Sequence, residues 1–133
     1  PESEFVLYYN ESEKQPSPII NGPEKGKTGV SLNFNFTAID PQDDQIYYLI
    51  DWGDDENTGW IGPFNSGEQI SKSHTWLTMN NFTVRAKAMD INYHESNWST
   101  INIKIPKINT YKPIILQILK KFEQISFFKE KFI

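Results

Sequence analysis

The stretch 29–40, GVSLNFNFTAID, decides the fold class of this chain. Its apolar side chains stand at every second position, with serine, asparagine and threonine between them. These apolar residues are Val30, Leu32, Phe34, Phe36 and Ala38. A period of two with one apolar face is typical of a β-strand that is buried on one side. The stretch therefore predicts a strand that covers a hydrophobic core.

Other runs alternate in the same way, three of them clearly and three weakly. In the run 45–52 both faces are partly apolar, because Tyr47 and Leu49 stand on its second face, as in a central strand. Clusters of Gly, Pro, Asn and Asp separate the runs and indicate turns. About seven short strands without helical patterns between them predict an all-β sandwich and exclude a parallel α/β sheet. The clear runs are 45–52, 82–89 and 101–105, and the weak ones are 17–20, 59–64 and 68–76.

The two ends of the chain have different patterns. A short apolar run, 5–9, stands between acidic and polar flanks and predicts an isolated extended segment. After Pro106 the apolar residues follow helical spacing, which predicts a helix over about 112–130. The pattern divides the chain into an extended segment (1–16), a sandwich (17–106) and a helical segment (107–133).

The sandwich segment carries five motifs in a specific order. They are AIDPQDD at 38–44, YYLIDWGD at 47–54, GWIGPFNSG at 59–67, SHTW at 73–76 and FTVRAKAMD at 82–90. Their order and spacing resemble the PKD domain, an immunoglobulin-like module of microbial surface proteins and secreted enzymes. With the motif at 59–67 the pattern is most similar to repeats of archaeal cell-surface proteins. The resemblance implies a PKD-type, immunoglobulin-like β-sandwich.

The resemblance also implies a structural turn and a strand histidine that bonds to nearby backbone or to this turn. The residues concerned are Trp52, Gly53, Asp54 and His74. The family usually has glycine where Asp55 stands and near Asn81. Because asparagine tolerates the left-handed backbone region, we expect Asn81 to substitute for that glycine.

The chain lacks the residue sets that catalysis needs. Without cysteine it has no thiol nucleophile, no Cys-based zinc site and no disulfide. Its two histidines, His74 and His94, stand in no nucleophile–base–orienter pattern and are not spaced as zinc ligands. No pair of carboxylates is forced across a cleft, as glycoside hydrolysis requires. We therefore expect no enzymatic activity and no obligatory cofactor.

Charge and hydropathy narrow the classes of partner. A net charge of −4 disfavours binding to nucleic acid or to an anionic membrane. The chain has no run of about 18 apolar residues, so it predicts no transmembrane segment. The sandwich pattern without a catalytic constellation, together with the resemblance, implies proteins as partners, and carbohydrate is the alternative.

Acidic loops suggest calcium, because hard oxygen ligands supplied by two loops suit this ion. In an immunoglobulin-like sandwich the loop after the second strand and the loop before the last strand share one pole. That pole is either a calcium site or a solvated acidic surface. The turn at Asp54, with Asp51, Asp55 and Glu56 around it, is either a second calcium site or a self-bonded turn. The candidate ligands at the pole are Asp40, Asp43, Asp44 and Asp90, with Asn92 and Glu95 near them.

Aromatic residues and glycosylation sequons suggest surface roles. Trp60, Phe64, Trp76 and Trp98 either form a carbohydrate-stacking surface or pack in the core. Candidate glycosylation sites, which would indicate an exterior location, are the sequon residues Asn10, Asn35, Asn81 and Asn97. Asn35 stands on the polar face of its strand. Asn97 shares the parity of the inward-facing Ile101, which predicts an inward side chain.

These observations predict a non-catalytic extracellular or cell-surface module with a structural or adhesive role that acts through protein–protein contacts. We expect the apolar terminal segments to leave the sandwich at opposite poles. Either the helix folds back on its own sandwich and the segment 5–9 adds an edge strand, or both dock on neighbouring copies and give a head-to-tail homo-oligomer or filament. The alternative is an accessory carbohydrate- or protein-binding module of a secreted hydrolase. The expected assembly residues are Phe5, Val6, Leu7, Tyr8, Tyr9, Ile115, Leu119, Phe122 and Phe128.

Overall fold

The structure is a computed structural model that describes residues 14–107 and 111–131. Within these ranges it has seven strands followed by one helix. The strands are β1 (Ile19–Asn21), β2 (Leu32–Thr37), β3 (Ile46–Asp51), β4 (Asn57–Phe64), β5 (Ile70–His74), β6 (Asn80–Asp90) and β7 (Ser99–Ile105), and the helix is α1 (Tyr111–Lys131). The predicted fold class, an all-β sandwich with a C-terminal helix, is confirmed.

The strands form two antiparallel sheets. One has three strands in the order β1-β2-β5, and the other has four in the order β4-β3-β6-β7. After β1 the chain crosses to the larger sheet and runs parallel to β7 for a short distance. There Gly26 N–H donates to the carbonyl of Lys104 at 3.0 Å, and Lys104 N–H donates to the carbonyl of Glu24 at 2.9 Å. The two sheets are therefore joined by main chain at this edge.

The core lies between the two sheets and is filled by residues of β2, β3, β5, β6 and β7, whereas β1 and β4 only pack against its edges. Trp76 is fully buried, and its ring centroid lies 5.9 Å from Phe34, 6.2 Å from Trp52 and 5.6 Å from Phe82. The pairs with Phe34 and Trp52 are edge-to-face and the pair with Phe82 is stacked, and such pairs add to the free energy of burial. The interpretation of Trp76 as part of a stacking surface is wrong, because the ring fills the centre of the core.

One buried hydroxyl fixes how the sheets meet. The Tyr48 hydroxyl accepts a hydrogen bond from the N–H of Ala38 at 2.8 Å, where the chain leaves β2. Burial of this phenol raises its pKa above the ordinary value of 10.0. The bond satisfies a buried backbone donor that no strand partner reaches.

Helix α1 does not bury the apolar residues whose side chains the structure describes. Every residue from 114 to 126 is exposed, and the apolar side chains of this stretch show 48% to 64% of their surface. No helix in the described ranges combines the length and the hydropathy needed to cross a membrane. The sequence therefore specifies a helix with an apolar stripe, but the sandwich does not cover it.

Candidate binding face on the four-stranded sheet

His74 links the turn between β3 and β4 to the three-stranded sheet. Its Nε2 lies 2.7 Å from Oδ2 of Asp54. The imidazole stacks on Trp52 at 4.8 Å with an angle of 3° between the rings, and it meets Trp76 edge-on at 4.7 Å. Only 9% of the His74 side chain is exposed. This packing gives the histidine a structural position and leaves no room for a substrate beside it.

The same turn needs unusual backbone angles. Gly53 has φ 80°, and a Cβ on it would lie 2.6 Å from the carbonyl oxygen of Thr83 in β6. Asp55 has φ 70°, so it takes the left-handed conformation that glycine adopts most easily. Asn81 is part of the extended strand β6, and the expectation that it adopts the left-handed region is wrong. The turn is shaped by Gly53 and Asp55.

Asp40 and Asp90 cap two loops of one pole in the same way. Oδ1 of Asp40 accepts hydrogen bonds from the backbone N–H groups of the second and fourth residues after it, both at 2.8 Å. Oδ1 of Asp90 accepts from the equivalent N–H groups at 2.8 and 2.9 Å. The third residue after each aspartate, Asp43 and Tyr93, has φ 61° and 65°. Each buried carboxylate therefore replaces the backbone acceptors that its loop lacks.

Gln15 joins these two carboxylates. Its Nε2 donates to Oδ2 of Asp40 and lies 3.5 Å from Oδ2 of Asp90. Its Oε1 is buried and has no hydrogen-bond partner. The segment to which we assigned Gln15 from sequence was expected to be isolated, and its amide instead lies between two loops.

The pole thus unites only part of the expected calcium ligands. Asp40 and Asp90 meet at Gln15, whereas Asp43 is exposed. Glu95 points to the outer face of the sheet, where it pairs with Lys87, and the prediction that it approaches Asp40 is wrong. In residues 14–107 and 111–131 no group of three or more His, Cys, Asp or Glu side chains is arranged to hold a metal ion.

Hydrogen bonds lower the pKa of Asp90. Burial raises the pKa of Asp90, but bonds from the backbone and ring of His94 and from the N–H of Asn92 outweigh it. The pKa therefore lies below the ordinary value of 3.8. Asp90 is thus ionised at neutral pH although only 2% of it is exposed.

The sequon residues lie in three different settings. Asn35 is half-buried in β2 and accepts a hydrogen bond from Ser71 Oγ at 2.5 Å. Asn81 is exposed in β6. Asn97 is exposed and accepts from Lys14 Nζ at 2.8 Å, so the expectation of an inward side chain is wrong. Strand parity does not extend to Asn97 because β7 begins at Ser99. Asn10 lies outside the described residues.

The expected assembly residues are only partly described. The segment 5–9 lies outside the described residues, and so does the side chain of Phe128. Ile115, Leu119 and Phe122 of α1 expose 50%, 53% and 64% of their surface. The helix therefore presents apolar side chains, and nothing further is established about their partner.

The most distinctive surface of the described chain is the outer face of the four-stranded sheet. Leu49 of β3 stands opposite Trp60 of β4 on one side and opposite Lys87 of β6 on the other. Trp98 precedes β7 and extends this row beyond Lys87, because Ala86 pairs with Ser99. Trp60 and Trp98 each expose 38% of their surface. The row therefore places two indoles on one face with a lysine between them. We call Leu49, Trp60, Lys87 and Trp98 together the indole row.

Cations lie over both indoles of the row. Lys87 Nζ is 5.3 Å from the ring centroid of Trp60 and 5.1 Å from that of Trp98. The guanidinium of Arg85 lies 4.7 Å from the Trp98 ring and also binds Asp51 at 2.7 Å. Burial raises the pKa of Asp51, but hydrogen bonds from Arg85 and from Gly53 N–H outweigh this effect and lower it. These cation–π contacts hold the indoles in fixed orientations.

A groove of about 320 Å³ adjoins the indole row. Its lining is mostly aromatic and apolar, and it includes Trp60 itself. The ring of Tyr47 lies directly on Gly62, where a Cβ would be 2.8 Å from the ring. Tyr93 exposes 80% of its surface at the rim. The other lining residues are Met89, Asp90 and Ile91.

The sequence analysis did not identify two residues of this surface, Lys87 and Tyr93. Lys87 occupies an ordinary polar position of a strand, and only the register shows that it lies between two tryptophans. Tyr93 follows a strand in a loop, and its exposure depends on the left-handed backbone there. Of the four aromatic residues suggested for stacking, only Trp60 and Trp98 are on this face. Phe64 is half-buried and packs on the core.

Comparison with known proteins finds high similarity to a solved structure. No family model matches the chain, and no curated protein matches it. The PKD domain of an M14-like peptidase from Thermoplasmatales archaeon SCGC AB-540-F20 superposes with a TM-score of 0.69 and is 43% identical in sequence. The match covers 70% of this chain and 96% of that domain.

Proposed function

The chain belongs to the PKD-domain family, and from this premise we propose that it is an extracellular accessory module that binds polypeptide partners through the indole row. The PKD domain is a non-catalytic module, and PKD domains are commonly extracellular. The relative is part of a peptidase, a protein that acts on polypeptides. A binding role beside such an enzyme needs an exposed contact surface.

The observation that carries the proposal is the pair of indoles on either side of Lys87. Trp, Tyr and Arg are the residues that most often dominate the energy of protein interfaces, and this face presents all three types. Trp60 and Trp98 are held by Lys87 and Arg85, so binding would cost little side-chain entropy. The adjacent groove would accept an apolar side chain of the partner.

The charges of this face favour protein over carbohydrate. Lys87 pairs with Glu95, and Arg85 pairs with Asp51, so charges of both signs border the indoles. A polypeptide offers backbone donors and acceptors and charged side chains that complement such pairs. A neutral polysaccharide offers hydroxyl, ether and, in chitin, acetamido groups, but no charged group that would complement these pairs. Carbohydrate binding is therefore the alternative.

The test is binding of the full chain to beads coated with casein or denatured serum albumin, with insoluble chitin and cellulose as the polysaccharide probes. We expect retention on the protein beads. Trp60→Ala and Trp98→Ala should each weaken it by about 2 kcal/mol or more, roughly 30-fold. Met79→Ala is the matched control, because it removes a side chain that is 52% exposed at the opposite end of β6.

Thermal melts of all variants would verify that the sandwich remains folded. Equal retention of the two tryptophan variants and the wild type would contradict the proposal. Retention on chitin or cellulose alone, lost in the same variants, would instead identify the carbohydrate-binding alternative.

The location and the modification of the protein stay predictions. Asn81 and Asn97 are exposed and meet the steric requirement for a glycan. A mass increase that is removed by a glycosidase, measured on protein from its native source, would support an exterior location. Head-to-tail assembly through both terminal segments also stays a prediction, and light scattering of the full chain tests it.

A further inference from the structure

The apolar stripe of α1 has no partner in the described chain. Its side chains lie at positions i, i+1, i+4, i+5, i+8 and i+11, which fall on one side of a helix. With 3.6 residues per turn they cover an arc of about 140°. The members are Ile114, Ile115, Ile118, Leu119, Phe122 and Ile125, and each exposes about half of its surface or more. We call them the α1 stripe.

The charge of the helix differs in sign from that of the remaining chain. Residues 111–131 contain five lysines and two glutamates, a net charge of +3. Because the whole chain has −4, the other residues together carry −7. The low net charge therefore hides a strong segregation. The net charge of the chain predicts repulsion from an anionic surface only if the charge is treated as evenly distributed along the chain.

We propose that α1 binds the surface of an anionic membrane, with the α1 stripe among the acyl chains and the lysines at the headgroups. A helix with an apolar face and a lysine-rich polar face lies in the plane of a membrane interface. Lys121 stands beside the stripe, about 20° around the helix from Ile114, where it reaches phosphate groups when the stripe is buried. Lys120 lies on the polar face opposite the stripe, where it adds to the attraction of an anionic surface. The helix would then hold the sandwich at the membrane without spanning it.

A second copy of the helix is the competing occupant. Two such helices would bring together two charges of +3, and like charges near an apolar seam oppose association. The headgroups of an anionic lipid surface carry negative charge at the depth where the lysines of α1 would lie. Charge complementarity thus favours lipid over self-association of α1. The inference is independent of the indole row, which lies in the sandwich.

The test is flotation of the full chain with vesicles, either of phosphatidylcholine alone or of an equimolar mixture with phosphatidylglycerol. We expect binding to the anionic vesicles, little binding to the neutral ones, and weakening by added salt. The double variant Lys120→Gln/Lys121→Gln should bind about 30-fold more weakly. The double variant Ile118→Gln/Phe122→Gln should bind about 100-fold more weakly.

Matched controls come from the same chain. Leu116→Gln removes an apolar side chain that is 53% exposed but lies outside the α1 stripe, and it should bind with less than a fourfold loss. Lys25→Gln/Lys27→Gln removes the same charge from an exposed loop of the sandwich and should retain binding. Melting of each variant monitors the fold of the sandwich.

Three results would overturn the proposal. One is the absence of flotation with anionic vesicles. Another is equal loss of binding in Leu116→Gln and in Ile118→Gln/Phe122→Gln. The third is an oligomer in light scattering that is lost in Ile118→Gln/Phe122→Gln, because the stripe would then be covered by a second copy.

Discussion

The sandwich and α1 both repeat apolar residues with the period of their secondary structure, yet they treat those residues differently. In the sandwich, Trp76 and Tyr48 are fully buried by residues from both sheets. In α1, Ile118 and Phe122 expose 48% and 64% of their surface. Burial of a large apolar side chain contributes about 1.5–3 kcal/mol, so the sandwich gains its stability within the domain. In α1 the apolar side chains are exposed, so their burial can contribute this free energy to binding of another partner.

The largest effect expected from this difference is at Trp76. Trp76→Ala would leave a cavity among Phe34, Trp52 and Phe82 and should lower the free energy of unfolding by about 4 kcal/mol. Phe122→Ala in α1 should change it by less than about 0.5 kcal/mol. Urea unfolding followed by tryptophan fluorescence and circular dichroism measures both. Similar losses in the two variants would contradict the comparison.

The acidic pole should give a smaller and pH-dependent effect. The pKa of Asp90 is lower in the folded chain, so its contribution is present above pH 3.8 and is lost as pH falls through the lower, folded-state pKa. The groups that face it are Asp40, through Gln15, and His94. Asp90→Asn should cost about 2 kcal/mol at pH 7 and flatten the loss of stability in acid. Parallel acid profiles of the variant and the wild type would show that Asp90 does not cause the loss.

If calcium binds, we expect it at the same pole, with a smaller effect still. Rotation of the Gln15 amide would turn its unpartnered Oε1 towards the carboxylates of Asp40 and Asp90 and provide a third oxygen. A gain of about 1 kcal/mol would raise the melting midpoint by roughly 4–8 °C. We expect this shift with millimolar calcium, and no shift with magnesium at equal ionic strength. Asp40→Asn/Asp90→Asn is the control variant. An unchanged melting midpoint of the wild type in calcium would contradict calcium binding at this pole.

The strands could be predicted because their signal is local. In the stretch 29–40 the alternation of residues alone identifies Phe34, Phe36 and Ala38 as buried, which is confirmed. The expectation for Val30 is wrong, because it precedes β2 and exposes 46% of its surface. The alternation also identifies the buried face of 45–52, where both Ile46 and Ile50 are buried. The family motifs then add the order of the strands. The fold class was therefore within reach of the sequence.

The surface sites were less predictable because they depend on distant residues. Gln15 contacts Asp40 and Asp90, which are 25 and 75 positions away, and nothing in its own neighbourhood indicates this. Trp76 and Trp98 both stand near strand ends, yet one is buried and the other exposed. Their difference depends on sheet register and on the path of the loops. For the same reason, the periodicity of apolar residues in α1 does not identify the partner of this helix.

The most direct test of the comparison is the stability of a chain that ends at Lys107 and thus lacks α1. The account predicts that this chain unfolds cooperatively in urea, with a free energy within about 0.5 kcal/mol of the full chain, because α1 buries none of its stripe on the sandwich. Its loss of vesicle binding would be expected at the same time. A decrease of several kcal/mol, comparable to that of Trp76→Ala, would show that the helix completes the core, and it would contradict the account.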